Sequence, residues 1–135
     1  MKRVLISGEP ISAEVALSGL SDLGGGAVSS FTGISRDDGG VTAIELEHYP
    51  GMTEKSIEDI ITQARGRWQV MDALVIHRIG TLKPLDQIVL VVVSSAHRGD
   101  AFAACEFIMD YLKTQAPFWK KEQTGSGARW VDARV

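Results

Sequence analysis

The chain has 135 residues, the length of one domain, and we expect residues 1–135 to share one core. Its net charge of −3 excludes the basic surface of a typical nucleic-acid-binding protein, so any anion site must be a local cluster of cations. The single cysteine, Cys105, excludes an internal disulfide, and the longest aliphatic run, residues 88–93, is too short to cross a bilayer. These features predict a cytoplasmic protein.

The first half of the sequence predicts three strands and two helices. The strands are predicted from apolar patterning at residues 2–7, 27–33 and 41–49. Ser12 is expected to cap a short helix, and Thr53 to cap a longer one. The longer helix is predicted from the helical spacing of Ile57, Ile60, Ile61, Ala64 and Trp68.

The second half predicts one more long helix and four strands. The strands are predicted at residues 73–79, 87–95, 118–122 and 129–133. The strand at 87–95 is apolar on both faces, so we expect it in the centre of a sheet. The helix is predicted at 99–113, with a buried stripe of Ala101, Phe102, Cys105, Ile108, Met109 and Leu112. Two long helices and six or seven strands without strict alternation predict an α+β fold with a mixed or antiparallel sheet.

The sequence contains none of the common phosphate-loop, nucleophile-elbow or zinc-protease motifs. Its histidines, His48, His77 and His97, lie on separate predicted elements without metal-ligand spacing, so we predict no metal site and no cofactor. Cys105 has no basic neighbour in sequence that would activate its thiol, and we expect it to pack in the core.

Basic residues at the ends of predicted elements are the candidates for a functional site. His97 and Arg98 stand at a helix start, where backbone N–H groups and a guanidinium can bind an anion; the alternative is a solvated helix cap. Arg36 lies in a turn-rich loop, where an ion pair with Asp37 or Asp38 is equally plausible.

Two lysines flank the break at Pro117. Lys113 ends the second long helix, where it could simply complement the helix dipole, and Lys120 lies on the next strand, where it could simply protect a sheet edge. A chain reversal at Pro117 would bring them together, and adjacent ammonium groups disfavour each other's charge. A lysine that loses its proton more readily can act as a base or nucleophile.

The helix length separates two of these candidates. Arg98 and Lys113 are fifteen residues apart on one helix, which places their backbones roughly 22 Å apart. If both serve one small pocket, the simplest solution is a two-fold dimer in which each subunit contributes one end of the helix.

Several short motifs occur in a fixed order along the chain. They are Phe31-Thr32-Gly33-x-x-Arg36, Leu46-Glu47-His48-Tyr49-Pro50-Gly51-Met52, His77-Arg78-Ile79-Gly80, Ser95-Ala96-His97-Arg98, the helix segment from Phe107 to Lys113, and Pro117-Phe118-Trp119-Lys120-Lys121-Glu122. In order and spacing, from Gly26 to Val131, they resemble the large, catalytic subunit of molybdopterin synthase, the MoaE family.

The resemblance implies an α/β-hammerhead-type α+β fold and a central homodimer. It implies a small, ubiquitin-like sulfur-carrier subunit at each end, making a heterotetramer. The carrier's C-terminal Gly-Gly tail, as a thiocarboxylate, would deliver sulfur to cyclic pyranopterin monophosphate and so form the dithiolene of molybdopterin. No cofactor is implied for this step.

The resemblance also assigns roles to residues. Lys113 and Lys120 would be catalytic. The substrate pocket would be lined by Arg36, His97, Arg98, Lys121 and Glu122, with Phe31 and Met109 as apolar walls. Ile34-Ser35 stands where the family often has a lysine and then a valine, so one positive charge is absent from the substrate loop.

Two other functions fit parts of the sequence. A non-catalytic anion- or nucleotide-binding module would explain His97-Arg98, and co-purification with a small partner ending in Gly-Gly would argue against it. An interaction subunit whose lysines only dock an acidic partner would lose binding, rather than chemistry, when Lys113 is replaced by alanine.

Overall fold

The computed structural model describes residues 3–20, 25–36, 40–125 and 127–131, and within these ranges it forms an α+β fold of two sheets and three helices. The strands are β1 (Val4–Ser7), β2 (Ala27–Ile34), β3 (Val41–His48), β4 (Val70–Arg78), β5 (Gly80–Leu82), β6 (Gln87–Ser95), β7 (Phe118–Thr124) and β8 (Gly127–Val131). The helices are α1 (Ala13–Ser18), α2 (Met52–Arg67) and α3 (Arg98–Thr114). The predicted fold class is confirmed.

The first sheet has the strand order β1-β4-β6-β2, with β1 parallel to β4 and the other pairs antiparallel. The predicted central position of β6 is confirmed, since β4 and β2 flank it. One face of the sheet packs against α2 and α3 around Ile57, Val91 and Ile108, which are fully buried. On the other face Ala16 of α1 packs against Leu90. Burial of both faces explains the unbroken apolar run in β6.

The second sheet has the order β5-β3-β7-β8, and all of its pairs are antiparallel. Ile44, Leu46 and Leu82 form a small core on its inner face. Strand β7 lies between β3 and β8, so the alternative interpretation of Lys120 as protection for a sheet edge is wrong.

Most element boundaries agree with the predictions within a few residues. The predicted cap of α1 is confirmed, since the Ser12 hydroxyl accepts the Val15 N–H at 3.3 Å. The predicted cap of α2 is wrong: Gly51 is the N-cap, with a positive φ of 86° that suits glycine, and Thr53 is inside the helix. Residue 2 of the first predicted strand and residues 132–133 of the last lie outside the described residues.

Two further differences are local. The predictions did not include β5, which has only three residues. Phe102 was predicted in the buried stripe of α3, but its side chain is 64% exposed. It lies about 100° around the helix from the buried Ala101, at the edge of the apolar arc. Within the described ranges, no helix has both the length and the apolar character needed to cross a membrane.

Candidate functional site

A cavity of about 430 Å³ opens where the two sheets and the C-terminal end of α3 meet. It falls within the usual size range of small-molecule sites. The residues that line it are Gly33, Ile34, Ser35, Arg36, Val41, Ile44, Leu46, His77, Ile88, Val89, Met109, Leu112, Lys113, Phe118, Lys120 and Glu122. Five of the nine residues predicted for the site are among them: Arg36, Met109, Lys113, Lys120 and Glu122.

The two candidate catalytic lysines reach this cavity from different elements. Lys113 is the exposed neighbour of the buried Leu112 in the last turn of α3. After α3 ends, the chain reverses through Pro117 and continues as β7. Side chains alternate between the faces of a strand, so Phe118, Lys120 and Glu122 point inwards together. Helix and strand thereby place both lysines in the lining of one cavity.

Arg36 reaches the cavity from the loop that follows β2. The preceding residue, Ser35, is buried and held by two backbone hydrogen bonds: its N–H donates to the Asp86 carbonyl and its carbonyl accepts the Leu85 N–H, each at 2.8 Å. This anchor fixes the start of the loop. Asp37, the first alternative ion-pair partner of Arg36, lies outside the described residues, as does Asp38.

The apolar part of the cavity comes from the core. Met109 is 7% exposed and belongs to the same cluster as Leu112, so the cavity wall is continuous with the packing of α3. Ile34, at the position where the family often has lysine, lines the cavity and is half exposed. Cys105 is buried in this cluster, as predicted, and burial raises the pKa of its thiol.

His97 and Arg98 are not part of the cavity of the same chain. They are exposed at the N-terminal end of α3, whereas Lys113 occupies the C-terminal end. His97 is the N-cap of the helix, and its side chain makes no capping hydrogen bond. A single chain therefore does not bring these two residues to Lys113.

Two other residues assigned to the pocket lie elsewhere in the structure. Lys121 follows Lys120 in β7, so its side chain faces the opposite side of the sheet, where its ammonium group lies 5.3 Å from the centre of the Trp130 ring. Phe31 lies on β2, two residues before Gly33, and is 41% exposed beside the cavity rather than in its lining. Within one chain neither residue lines this cavity, and their assignment to the substrate pocket stays a prediction.

His77 lines the cavity although it was not predicted as a site residue. Its ring stacks on Phe118 with centroids 4.0 Å apart and an interplanar angle of 18°. Its Nδ1 lies 2.8 Å from the Arg78 carbonyl oxygen. Burial lowers the pKa of His77 to about 4, although the backbone hydrogen bond to Arg78 raises it in part. The ring is therefore neutral near pH 7. The motif His77-Arg78-Ile79-Gly80 was the available signal.

A buried threonine connects this wall of the cavity to α2. The Thr53 hydroxyl accepts the Tyr49 N–H at 2.9 Å and donates to the Pro117 carbonyl at 3.0 Å. It therefore joins the end of β3 to the start of β7, three residues before Lys120. Thr53 is 0% exposed, so both bonds are protected from competing water at the side chain.

The sequence belongs to a known family. The model of the MoaE protein family matches residues 6–115. The molybdopterin synthase catalytic subunit of Ralstonia nicotianae is 70% identical over 113 residues, covering 82% of this chain and 64% of that protein. The subunit of the same name from Cereibacter sphaeroides is 52% identical over 135 residues, covering 98% of this chain and 92% of that protein. The chain thus spans just under two thirds of the first relative and nearly all of the second.

Solved structures share the fold. A molybdopterin biosynthesis MoaE protein from Burkholderia ambifaria has a TM-score of 0.88 and 51% identity, covering all of this chain and 92% of that one. A structure of the complex of subunits 1 and 2 of molybdopterin-converting factor from Helicobacter pylori has a TM-score of 0.79 and 17% identity, covering 99% of this chain and 93% of that one; this likeness concerns the fold alone. The chain therefore belongs to the MoaE family, in which the relatives from Ralstonia and Cereibacter are molybdopterin synthase catalytic subunits.

Proposed function

We propose that this chain is the catalytic subunit of a molybdopterin synthase. It transfers one sulfur from each of two protein thiocarboxylates to cyclic pyranopterin monophosphate, which forms a dithiolene and leaves each donor as a carboxylate. The observation that carries the proposal is the cavity in which Lys113, Lys120 and Arg36 converge beside apolar walls. Membership of the MoaE family supports the same reaction.

The charges of the cavity suit this substrate and donor. A cyclic phosphate and a thiocarboxylate are both anions, and lysine and arginine supply charge-assisted hydrogen bonds to them. Attack of sulfur on the pterin side chain requires proton transfers and stabilisation of developing negative charge. Positioned lysines can provide both, so Lys113 and Lys120 are assigned to the chemistry, and Arg36 and Glu122 to substrate binding.

The sulfur donor in this proposal is a small, ubiquitin-like carrier whose C-terminal Gly-Gly thiocarboxylate enters the cavity. The relatives from Ralstonia and Cereibacter are named catalytic subunits, which supports the presence of a second subunit. A cytosolic location is part of the proposal, since a chain with one cysteine fits a reducing compartment.

A homodimer with a shared site completes the proposal. His97 and Arg98 lie at the opposite end of α3 from Lys113. They can therefore line a cavity of this kind only if it is the Lys113 cavity of a second subunit. The test is to mix Lys113→Ala and Arg98→Ala chains and allow subunit exchange. About half of the dimers would then be mixed, each with one intact site of two, and about a quarter of wild-type activity should return. No recovery would mean that both residues act within one chain.

The function itself is tested by reconstitution. The protein is mixed with a carrier bearing a C-terminal thiocarboxylate and with cyclic pyranopterin monophosphate, and dithiolene-containing pterin is measured by mass spectrometry. We expect product in proportion to thiocarboxylate consumed. Carrier and pterin that both bind but give no product would contradict the sulfur-transfer assignment, and failure of the pterin to bind would contradict the substrate.

A further inference from the structure

We propose that His77 binds the pterin as a neutral hydrogen-bond acceptor, its Nε2 taking a hydrogen bond from an N–H group of the reduced ring system. This inference rests on the proposed function, and it adds a specificity-determining residue to the same cavity. His77 stands near the end of β4, is 7% exposed and lines the cavity.

Two contacts hold the ring in one orientation. Its face stacks on Phe118 at a centroid distance of 4.0 Å, and its Nδ1 lies 2.8 Å from the Arg78 carbonyl. A carbonyl oxygen only accepts hydrogen bonds, so Nδ1 must carry the proton. The lone pair of the neutral ring is therefore on Nε2.

Nε2 is available to a ligand. Among the described residues it has no hydrogen-bond partner, and it is not one of the fully enclosed polar atoms. Burial keeps the pKa of His77 near 4, and nearby His48 also disfavours a positive charge. Arg36, Lys113 and Lys120 line the same cavity and disfavour a charged ring, whereas Glu122 in that lining favours one, so burial decides the charge state. Near pH 7, Nε2 therefore accepts a hydrogen bond and does not donate one.

The other polar side chains of the cavity explain why such an acceptor matters. Arg36, Lys113 and Lys120 only donate, which suits the phosphate and the thiocarboxylate. A reduced pterin carries several N–H groups, and these need acceptors. Glu122 offers acceptors with a negative charge, and the Ser35 hydroxyl can both donate and accept. Nε2 of His77 offers an acceptor that carries neither a charge nor a proton, so it can bind a ring N–H without repelling the phosphate.

The test compares pterin binding by His77→Phe and His77→Gln. Phenylalanine keeps an aromatic ring for Phe118 but removes the acceptor, whereas glutamine offers an oxygen near the position of Nε2. By calorimetry, we expect His77→Phe to bind cyclic pyranopterin monophosphate about 10- to 100-fold more weakly, with most of the loss recovered in His77→Gln. The affinities of both variants for the sulfur carrier and for inorganic phosphate, measured in the same way, should equal those of the wild type.

A measurement on the wild-type protein does not depend on the variants folding. With ¹⁵N-labelled histidine, the Nε2 resonance of His77 should shift on pterin binding towards that of a hydrogen-bonded nitrogen, while Nδ1 stays protonated. An unchanged Nε2 resonance, or wild-type affinity in His77→Phe, would overturn the role of His77 and leave the synthase function intact. Equal loss of pterin, phosphate and carrier binding in His77→Phe would mean a collapsed cavity, and the Nε2 resonance of the wild type would then decide the role of His77. No pterin binding by the wild type would overturn both.

Discussion

Replacing Thr53 by valine should destabilise the protein although the two side chains have nearly the same shape. The change removes the hydroxyl that joins the Tyr49 N–H to the Pro117 carbonyl, at 2.9 and 3.0 Å, inside a site that is 0% exposed. Two part-buried hydrogen bonds of a buried hydroxyl are lost and their backbone partners lose this bond, at a cost of about 2 kcal/mol in the free energy of unfolding. Thr53→Ser keeps the hydroxyl and loses one methyl group, at a cost of about 1 kcal/mol.

Urea unfolding of the three proteins, at one protein concentration, measures this difference. The concentration is held constant because subunit association contributes to apparent stability. We expect the free energy of unfolding to decrease from the wild type to Thr53→Ser and further to Thr53→Val. The slope of this free energy against urea concentration should be the same for all three proteins. A valine variant at least as stable as the serine variant would refute the reasoning, because it would show that the hydroxyl does not hold β7 against β3. The two hydrogen bonds of Thr53 also hold the start of β7 and so position Lys120. We therefore expect turnover to fall more in the valine variant than in the serine variant.

The remaining predictions concern His77 and Gly33. The folded pKa of His77 is about 4, below the ordinary histidine value of 6.5, so between these values the unfolded chain binds a proton that the folded chain excludes. The contribution of His77 to the free energy of unfolding is therefore fully present above pH 6.5 and should fall by about 3 kcal/mol towards pH 4. Urea unfolding at several pH values should show a smaller loss in His77→Gln, and an identical loss would contradict the assignment. A Cβ on Gly33 would lie 2.6 Å from Val89 Cγ1, so Gly33→Ala should lower the free energy of unfolding by about 1–2 kcal/mol. In the control Gly66→Ala, nothing lies within 4 Å of the new Cβ, and helix propensity should raise stability by up to about 1 kcal/mol; equal effects would contradict the packing argument.

Local periodicity explains which parts of the fold were predictable. The apolar stripe of α3 and the two apolar faces of β6 are properties of short windows of sequence, and burial on the observed faces follows from them. The convergence of Lys113 and Lys120 on one cavity follows from one helix end, one break at Pro117 and one alternating strand. Strand β5 carries too few residues for a periodic signal, and it exists because β3 pairs with it.

Contacts between distant residues explain the rest. Thr53 was interpreted as a helix cap, but its hydroxyl bonds to Pro117, 64 residues away, which no local pattern indicates. The neutral state of His77 depends on burial against Phe118, which comes from the other sheet. By contrast, the outward position of Lys121 was predictable, because consecutive residues of a strand face opposite sides.

The most direct test of the central claim is turnover by Lys120→Ala, with carrier binding measured on the same samples. The matched control is Lys55→Ala, since Lys55 is an exposed lysine on α2 whose only described ion pair is with Asp59. If Lys120 acts in sulfur transfer, Lys120→Ala should lose about 10²- to 10⁴-fold in rate with carrier affinity unchanged, while Lys55→Ala keeps both. If Lys120→Ala instead loses carrier affinity and regains the wild-type rate at saturating carrier, the lysine only docks the partner, and the cavity is not the site of chemistry that this account requires.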